Sequence, residues 1–192
     1  MELILASGSP RRKEILDKNN IKYTVIKAEN DGESDKETVP EIVMELSDNK
    51  ASEVFEKMPE DFDGIVLGAD TVVAVDGEVL GKPADESQSK AMIKRIAGRS
   101  HSVFTGVTLI RKHEAYVVKK NFFEETLVYV KPMTDNEIDE YVKTGEGMDK
   151  AGSYAIQGIF GKYIDRFEGD YDNVVGLPFE HTKKELEELK FL

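Results

Sequence analysis

Residues 6–13, Ala-Ser-Gly-Ser-Pro-Arg-Arg-Lys, gather the side-chain types that hold a phosphate. Serine hydroxyls donate, small residues let a ligand reach the backbone, and a helix starting here points its free N–H groups outward. Ser9 reads as the N-cap, with Pro10 at the first helical position, where a missing N–H costs nothing. Arg11, Arg12 and Lys13 then fill the first turn, where the helix dipole disfavours each cation by about 0.3–1 kcal/mol. An anion seated among them removes that penalty. The same run also reads as a solvated basic turn, and the residues alone leave both open.

Asp70 is the one charged residue between Gly64 and Val75. The segment reads as a buried strand over 64–69 and a second over 71–75, with Asp70 at a strand end and Gly68 and Ala69 keeping the approach open. A lone carboxylate costs several kcal/mol to bury unless it is paired or coordinated. Here it could bind a divalent cation, take a proton from water, or cap neighbouring N–H groups as a turn aspartate. In Gly81-Lys82-Pro83 the proline pushes Lys82 toward extended backbone, which aims an ammonium group. Lys50, late in a helical stretch, is a weaker candidate, and both lysines also read as solvated surface. Residues 149–158, Asp-Lys-Ala-Gly-Ser-Tyr-Ala-Ile-Gln-Gly, end in an amide beside glycine. Gln157 could read a base edge while glycines admit a flat ring; the alternative is a glycine-rich entry to a strand. Ser100 and His101, with Thr105-Gly106-Val107, read as hairpin structure, because no Ser/His/Asp ordering stands out.

The elements that must position these groups follow from periodicity and punctuation. Strand 2–6 leads to helix 10–18 and strand 21–27. A polar turn covers Glu29, Asn30, Asp31 and Gly32, and Ile42, Val43, Leu46, Ala51, Val54 and Phe55 form the apolar stripe of a helix over 39–57. Asp76-Gly77 is a type I′ hairpin signal. A helix over 86–96 ends at Gly98, and strands 103–110 and 115–130 pair. Thr134 caps a helix to Lys143 stopped by Gly145, a loop over 152–161 enters a strand near 162–166, and a helix over 179–189 closes the chain. Mixed strands and helices with several hairpins define an α/β or α+β class on a mixed sheet. The 192 residues form one large domain or two small lobes sharing a sheet.

Composition narrows the function. The net charge is −12, from 26 Lys and Arg against 38 Asp and Glu, a balance that repels nucleic-acid polymers and anionic membranes. Screening acts over roughly 8 Å, so a local cluster such as Arg11-Arg12-Lys13 still holds a small anion. There are no cysteines, which excludes disulfides, thiolate metal sites and cysteine nucleophiles and fits a reducing, cytoplasmic compartment. His101, His113 and His181 lack the spacing of metal ligands on one helix face. Any metal is therefore a hard cation on oxygen ligands, Mg²⁺ or Mn²⁺. No apolar run approaches membrane-spanning length and no secretory core follows Met1.

Taken in order, seven motifs resemble the Maf family of nucleoside triphosphate pyrophosphatases: residues 6–12 (Ala-Ser-Gly-Ser-Pro-Arg-Arg), 49–51 (Asn-Lys-Ala), 68–73 (Gly-Ala-Asp-Thr-Val-Val), 81–83 (Gly-Lys-Pro), His101 with 105–107 (Thr-Gly-Val), 149–158, and 173–178 (Asn-Val-Val-Gly-Leu-Pro). The resemblance implies a single domain over 1–192 with an elongated mixed sheet, flanking helices and two lobes around a cleft, related to inosine triphosphate pyrophosphatases. It implies hydrolysis of a nucleoside triphosphate to the monophosphate and pyrophosphate with a divalent metal, and a homodimer. Asp70 takes the position of the catalytic proton acceptor and metal ligand, Glu33 that of an acidic residue in the early loop, and Lys82 that of a substrate-facing lysine. Ser7, Arg11, Arg12 and Lys50 match phosphate-binding positions, and Lys150 falls within a substrate-binding motif. Arg11, Thr71 and Gln157 match the branch acting on dTTP, UTP and related pyrimidine nucleotides. The alternatives are a purine-cleansing triphosphatase and a nucleotide-binding regulator of cell division. The chain departs from the family pattern in the early loop before Glu33 and in lacking a basic residue just before Lys50.

Overall fold

The computed structural model describes residues 1–29, 32–114 and 116–190. Asn30 and Asp31 of the expected polar turn, and Ala115 at the start of the expected 115–130 strand, lie outside the described residues. The chain forms two compact units: Met1–Asp70 with Thr105–Glu124 and Gly176–Leu192, and Thr71–Phe104 with Glu125–Val175.

Seven strands make one mixed sheet, in the order β2 (Thr24–Val25), β1 (Glu2–Leu5), β3 (Gly64–Val75), β5 (Ser100–His113), β6 (Tyr116–Val130), β7 (Ile164–Glu168), with β4 (Glu78–Leu80) paired to β3. β1 is parallel to β2 and to β3 in the register Leu5 to Leu67, whereas β4 and β7 pair antiparallel. Leu3, Ile4 and Leu5 are all buried, as expected of a parallel strand covered on both faces. The helices are α1 (Pro10–Lys18), α2 (Val39–Glu56), α3 (Glu86–Ile96), α4 (Asp135–Lys143), α5 (Tyr171–Val175) and α6 (Phe179–Glu188).

Local chemistry accounts for most boundaries. Asp85 caps α3 by accepting from the Gln88 N–H at 2.8 Å, and Thr134 and Glu137 form a reciprocal capping box on α4. Asp76 (φ 54°) and Gly77 (φ 81°) make the left-handed pair that a type I′ turn requires. Three readings need correction. The strand over 21–27 shrinks to Thr24–Val25, which pair with only Ile4 and Leu5 of β1. β3 is one continuous strand, so Asp70 lies inside it, between the stretch paired with β1 and the stretch paired with β4; it is neither a strand-end nor a turn residue. The 152–161 loop contains two short 3₁₀ turns, Ala151–Ser153 and Ile159–Tyr163.

Within the first unit, α2 lies directly on β3 and β5. A side chain at Gly68 would overlap the Ser47 carbonyl and sit 2.7 Å from the Ala51 nitrogen, and one at Gly106 would strike the Val43 carbonyl. Ser47 and Thr108 hydroxyls meet at 3.0 Å in the same buried seam. Gly68 therefore admits a helix rather than a ligand, and Thr105-Gly106-Val107, in the β5 arm of the β5–β6 hairpin as expected, also seats α2. Gly106→Ala is expected to cost about 1–3 kcal/mol or more, read by chemical denaturation. Gly81→Ala, with open space around the new methyl, should stay within about 0.5 kcal/mol of the parent.

Candidate active site

The segment read as a candidate phosphate seat lies at the carboxyl end of β1, where the chain turns into α1. α1 begins at Pro10, with Ser9 at the N-cap position, yet the Ser9 side chain caps nothing. Its backbone N–H instead donates to Ser7 Oγ at 3.2 Å, and Arg12 Nη1 donates to the same oxygen at 2.9 Å. With both lone pairs of Ser7 Oγ engaged, its O–H remains to donate to a ligand. Arg12 is buried and its Nε reaches the Gly176 carbonyl at 2.8 Å. That contact gives the 173–178 motif a job that spacing did not reveal: it supplies an oxygen that steadies a cation at the wrong end of a helix. Arg11 is half-buried and forms no ion pair among the described residues. Adjacent arginines thus differ: Arg12 braces the seat and Arg11 is available to an anion.

Asp70 is brought to this end of the sheet by register. Ala6 continues the β1–β3 pairing, its N–H reaching the Leu67 carbonyl at 2.8 Å, so residues just past β1 lie beside the 68–70 stretch. Gly68 and Asp70 share one face of β3 by the two-residue period, and Ser47 and Lys50 share one face of α2. Since Gly68 touches Ser47, Lys50 meets Asp70: Nζ to Oδ1 is 2.7 Å, with side chains 12% and 14% exposed. This pair answers the cost of placing a carboxylate in an apolar strand. Glu33 is exposed and its carboxylate has no partner among the described residues.

Lys27 was not singled out from sequence. It follows β2, whose parallel pairing to β1 delivers it to the same carboxyl end; its stem would lie 3.3 Å from a methyl on Gly8. The parallel β1–β2 arrangement is the signal that could have found it.

The remaining candidates belong to the second unit. Thr71 is half-buried in β3, and Lys82 is exposed. The Gly152 N–H donates to the Gly81 carbonyl at 3.1 Å, which ties the segment carrying Lys82 to the 149–158 loop. Inside that loop Ser153 Oγ meets Ser89 Oγ at 2.6 Å, and Tyr154 OH meets His101 Nε2 at 2.7 Å. Lys150 Nζ is bound by the Glu146 carbonyl and by Asp149 Oδ1, both at 2.6 Å. Gln157 is exposed, and its amide makes no hydrogen bond among the described residues.

A small-residue phosphate seat beside a paired carboxylate, on a mixed α/β sheet, defines a candidate nucleotide hydrolase. The chain matches the family described as Maf-like protein over residues 2–189, and it belongs to that family. It is 44% identical over 191 residues to the dTTP/UTP pyrophosphatase of Thermoanaerobacter sp. (strain X514), covering 97% of this chain and 98% of that one. It is 48% identical over 182 residues to the dTTP/UTP pyrophosphatase of Symbiobacterium thermophilum, covering 94% and 90%. With the dTTP/UTP pyrophosphatase of Bacillus pumilus it shares 42% identity over 187 residues, covering 97% and 95%. The solved structure of the Staphylococcus aureus Ham1 protein matches with a TM-score of 0.46 and 13% identity, covering 97% of this chain and 98% of that chain. No helix among the described residues is long and apolar enough to cross a membrane.

His101 is 2% exposed, and burial lowers its pKa from 6.5 to about 4. The unfolded chain therefore binds a proton that the folded chain refuses between those values, so stability falls as pH drops through that window. From pH 6.5 to 5 the loss from His101 is about 2 kcal/mol. Urea midpoints at the two pH values should separate the parent from His101→Gln, which lacks this dependence.

Proposed function

We propose that this chain is a nucleoside triphosphate pyrophosphatase that hydrolyses dTTP, UTP and related pyrimidine nucleotides to the monophosphate and pyrophosphate. Family membership and the names of its relatives support the reaction. The observation that carries it to particular residues is the Lys50–Asp70 contact, 2.7 Å long and mostly buried, at the sheet end that also bears the Ser7–Arg12 seat.

In this reading Asp70 takes a proton from the water that attacks the α-phosphorus. The bond from that phosphorus to its bridging oxygen breaks, and pyrophosphate leaves. Lys50 holds Oδ1, which fixes the carboxylate and leaves Oδ2 directed to the reaction. Ser7 and Arg11 hold phosphate oxygens at the start of α1, Arg12 keeps Ser7 in place, and Lys82 adds a cation. Little covalent work falls to the protein in phosphoryl chemistry, so positioning and charge neutralisation dominate. Thr71 and Gln157 bias base choice, since a polar group left unmatched by the wrong base costs binding. Lys150 belongs to the same substrate-binding loop.

The donor set fits a hard divalent cation that takes most of its ligands from substrate and water. Asp70 and Glu33 offer carboxylate oxygens, while no group of three or more His, Asp or Glu side chains gathers among the described residues. Mg²⁺ commonly binds through one or two carboxylates plus substrate phosphates. When bound, Mg²⁺ or Mn²⁺ supplies charge neutralisation on the phosphate chain. A cytoplasmic location and a homodimer complete the reading, on family resemblance.

Asp70→Asn should lower kcat by about 10²–10⁴ while leaving the unfolding transition cooperative. Turnover near the parent's would remove Asp70 from the mechanism. With dTTP the product should be pyrophosphate and dTMP, lost on chelation and restored by Mg²⁺ or Mn²⁺; orthophosphate as first product would indicate a phosphatase instead.

A further inference from the structure

The exposed Gln157 amide can read a base only if the backbone on both sides holds it still. On the N-terminal side the buried Tyr154–His101 hydrogen bond provides the hold. On the C-terminal side the holding group is Glu146, from the turn after α4. Its Oε1 accepts from the Ile159 N–H at 2.7 Å and its Oε2 from the Phe160 N–H at 3.2 Å. These N–H groups open the 3₁₀ turn Ile159–Tyr163 and have no partner within it. A side chain at Gly158 would overlap the Glu146 carboxylate, so glycine stands there to let the clamp close. The main chain of Glu146 acts in parallel, its carbonyl binding Lys150 Nζ at 2.6 Å. Tyr141, in the last turn of α4, donates its O–H to the Ser153 carbonyl at 3.2 Å. One residue therefore grips the loop at Lys150 and just past Gln157, and a neighbour grips it at Ser153.

We propose that Glu146 is a positioning residue for nucleotide choice, holding the base-reading amide of Gln157 and the Lys150 cation in one register. The inference rests on the proposed pyrophosphatase function and adds a specificity device to it. Glu146 touches no substrate; it acts through the 157–160 backbone. Removing its carboxylate frees Gln157 to meet several bases equally, so discrimination falls more than turnover does.

The test compares the parent with Glu146→Ala and Glu146→Gln by two measurements. Amide hydrogen exchange at Ile159 and Phe160 reads the clamp without reference to activity. The ratio of kcat/KM for dTTP to that for dGTP reads its consequence. Glu146→Ala should lose protection at both amides and lower the ratio about tenfold or more. Glu146→Gln, which keeps one good acceptor, should retain partial protection and most of the ratio. An unchanged ratio in Glu146→Ala, with or without lost protection, overturns the proposal, as does unchanged protection. If Glu146→Ala fails to fold, Glu146→Asp, one methylene short of both N–H groups, carries the same expectations. Parent protein that releases no pyrophosphate from dTTP fails the underlying function instead, and that failure is visible before any variant is made.

Discussion

Backbone contact between α2 and the sheet is the constraint on which the candidate site depends. Two glycines, Gly68 on β3 and Gly106 on β5, leave no side chain between helix and strands. Ser47 and Thr108 close the seam with a hydroxyl pair, and Asn121 of β6 donates to the Met44 carbonyl at 3.0 Å. At that distance the helix cannot slide or rotate without a clash, because packed interiors resist volume change. Lys50 is therefore delivered to Asp70 by the fold, and the two charges meet with little freedom to separate. Val66, Ala51 and Val54 in the adjoining core anchor the same face.

Charge works on two scales in this molecule. The net charge of −12 opposes an anionic ligand at long range, yet salt confines that field to roughly 8 Å. Inside that radius the seat is cationic and supplied with donors. The three basic residues at the start of α1 look alike in sequence and diverge in use. Arg12 turns inward to the Gly176 carbonyl and Ser7, while Arg11 has no ion-pair partner among the described residues. The second unit combines buried neutral hydrogen bonds with charge. His101 with Tyr154, and Ser89 with Ser153, hold the 149–158 loop through neutral groups, while the Glu146 carboxylate accepts from the Ile159 and Phe160 N–H groups just beyond it.

Much of this was legible in the sequence because short-range chemistry decides it. Pro10, Asp85, Thr134, Asp76-Gly77 and Gly145 mark their boundaries through local backbone preference, and the elements start or stop there. Asp70, Lys50 and the Ser7–Arg12 run were also visible, as residue types out of place in their surroundings. What stayed hidden depends on contacts across the chain. Gly68 looked like room for a ligand because nothing local says that Ser47 and Ala51 fill the space. β3 looked like two strands because glycine and a charge usually interrupt pairing, whereas partners on both stretches carry it through. Gly176 and Glu146 were silent because their roles are a carbonyl and a carboxylate offered to residues 164 and 13 positions away. Lys27 needed the parallel register of β1 and β2 before its place at the seat could be seen.

The most direct measurement is a double-mutant cycle on Lys50 and Asp70, using Lys50→Met, Asp70→Asn and the pair, read as kcat/KM for dTTP hydrolysis. If the buried contact makes them one working unit, the second substitution adds little to the damage done by the first. Losses that simply multiply would mean that the two side chains act independently, contradicting the account in which α2 sets the reacting carboxylate.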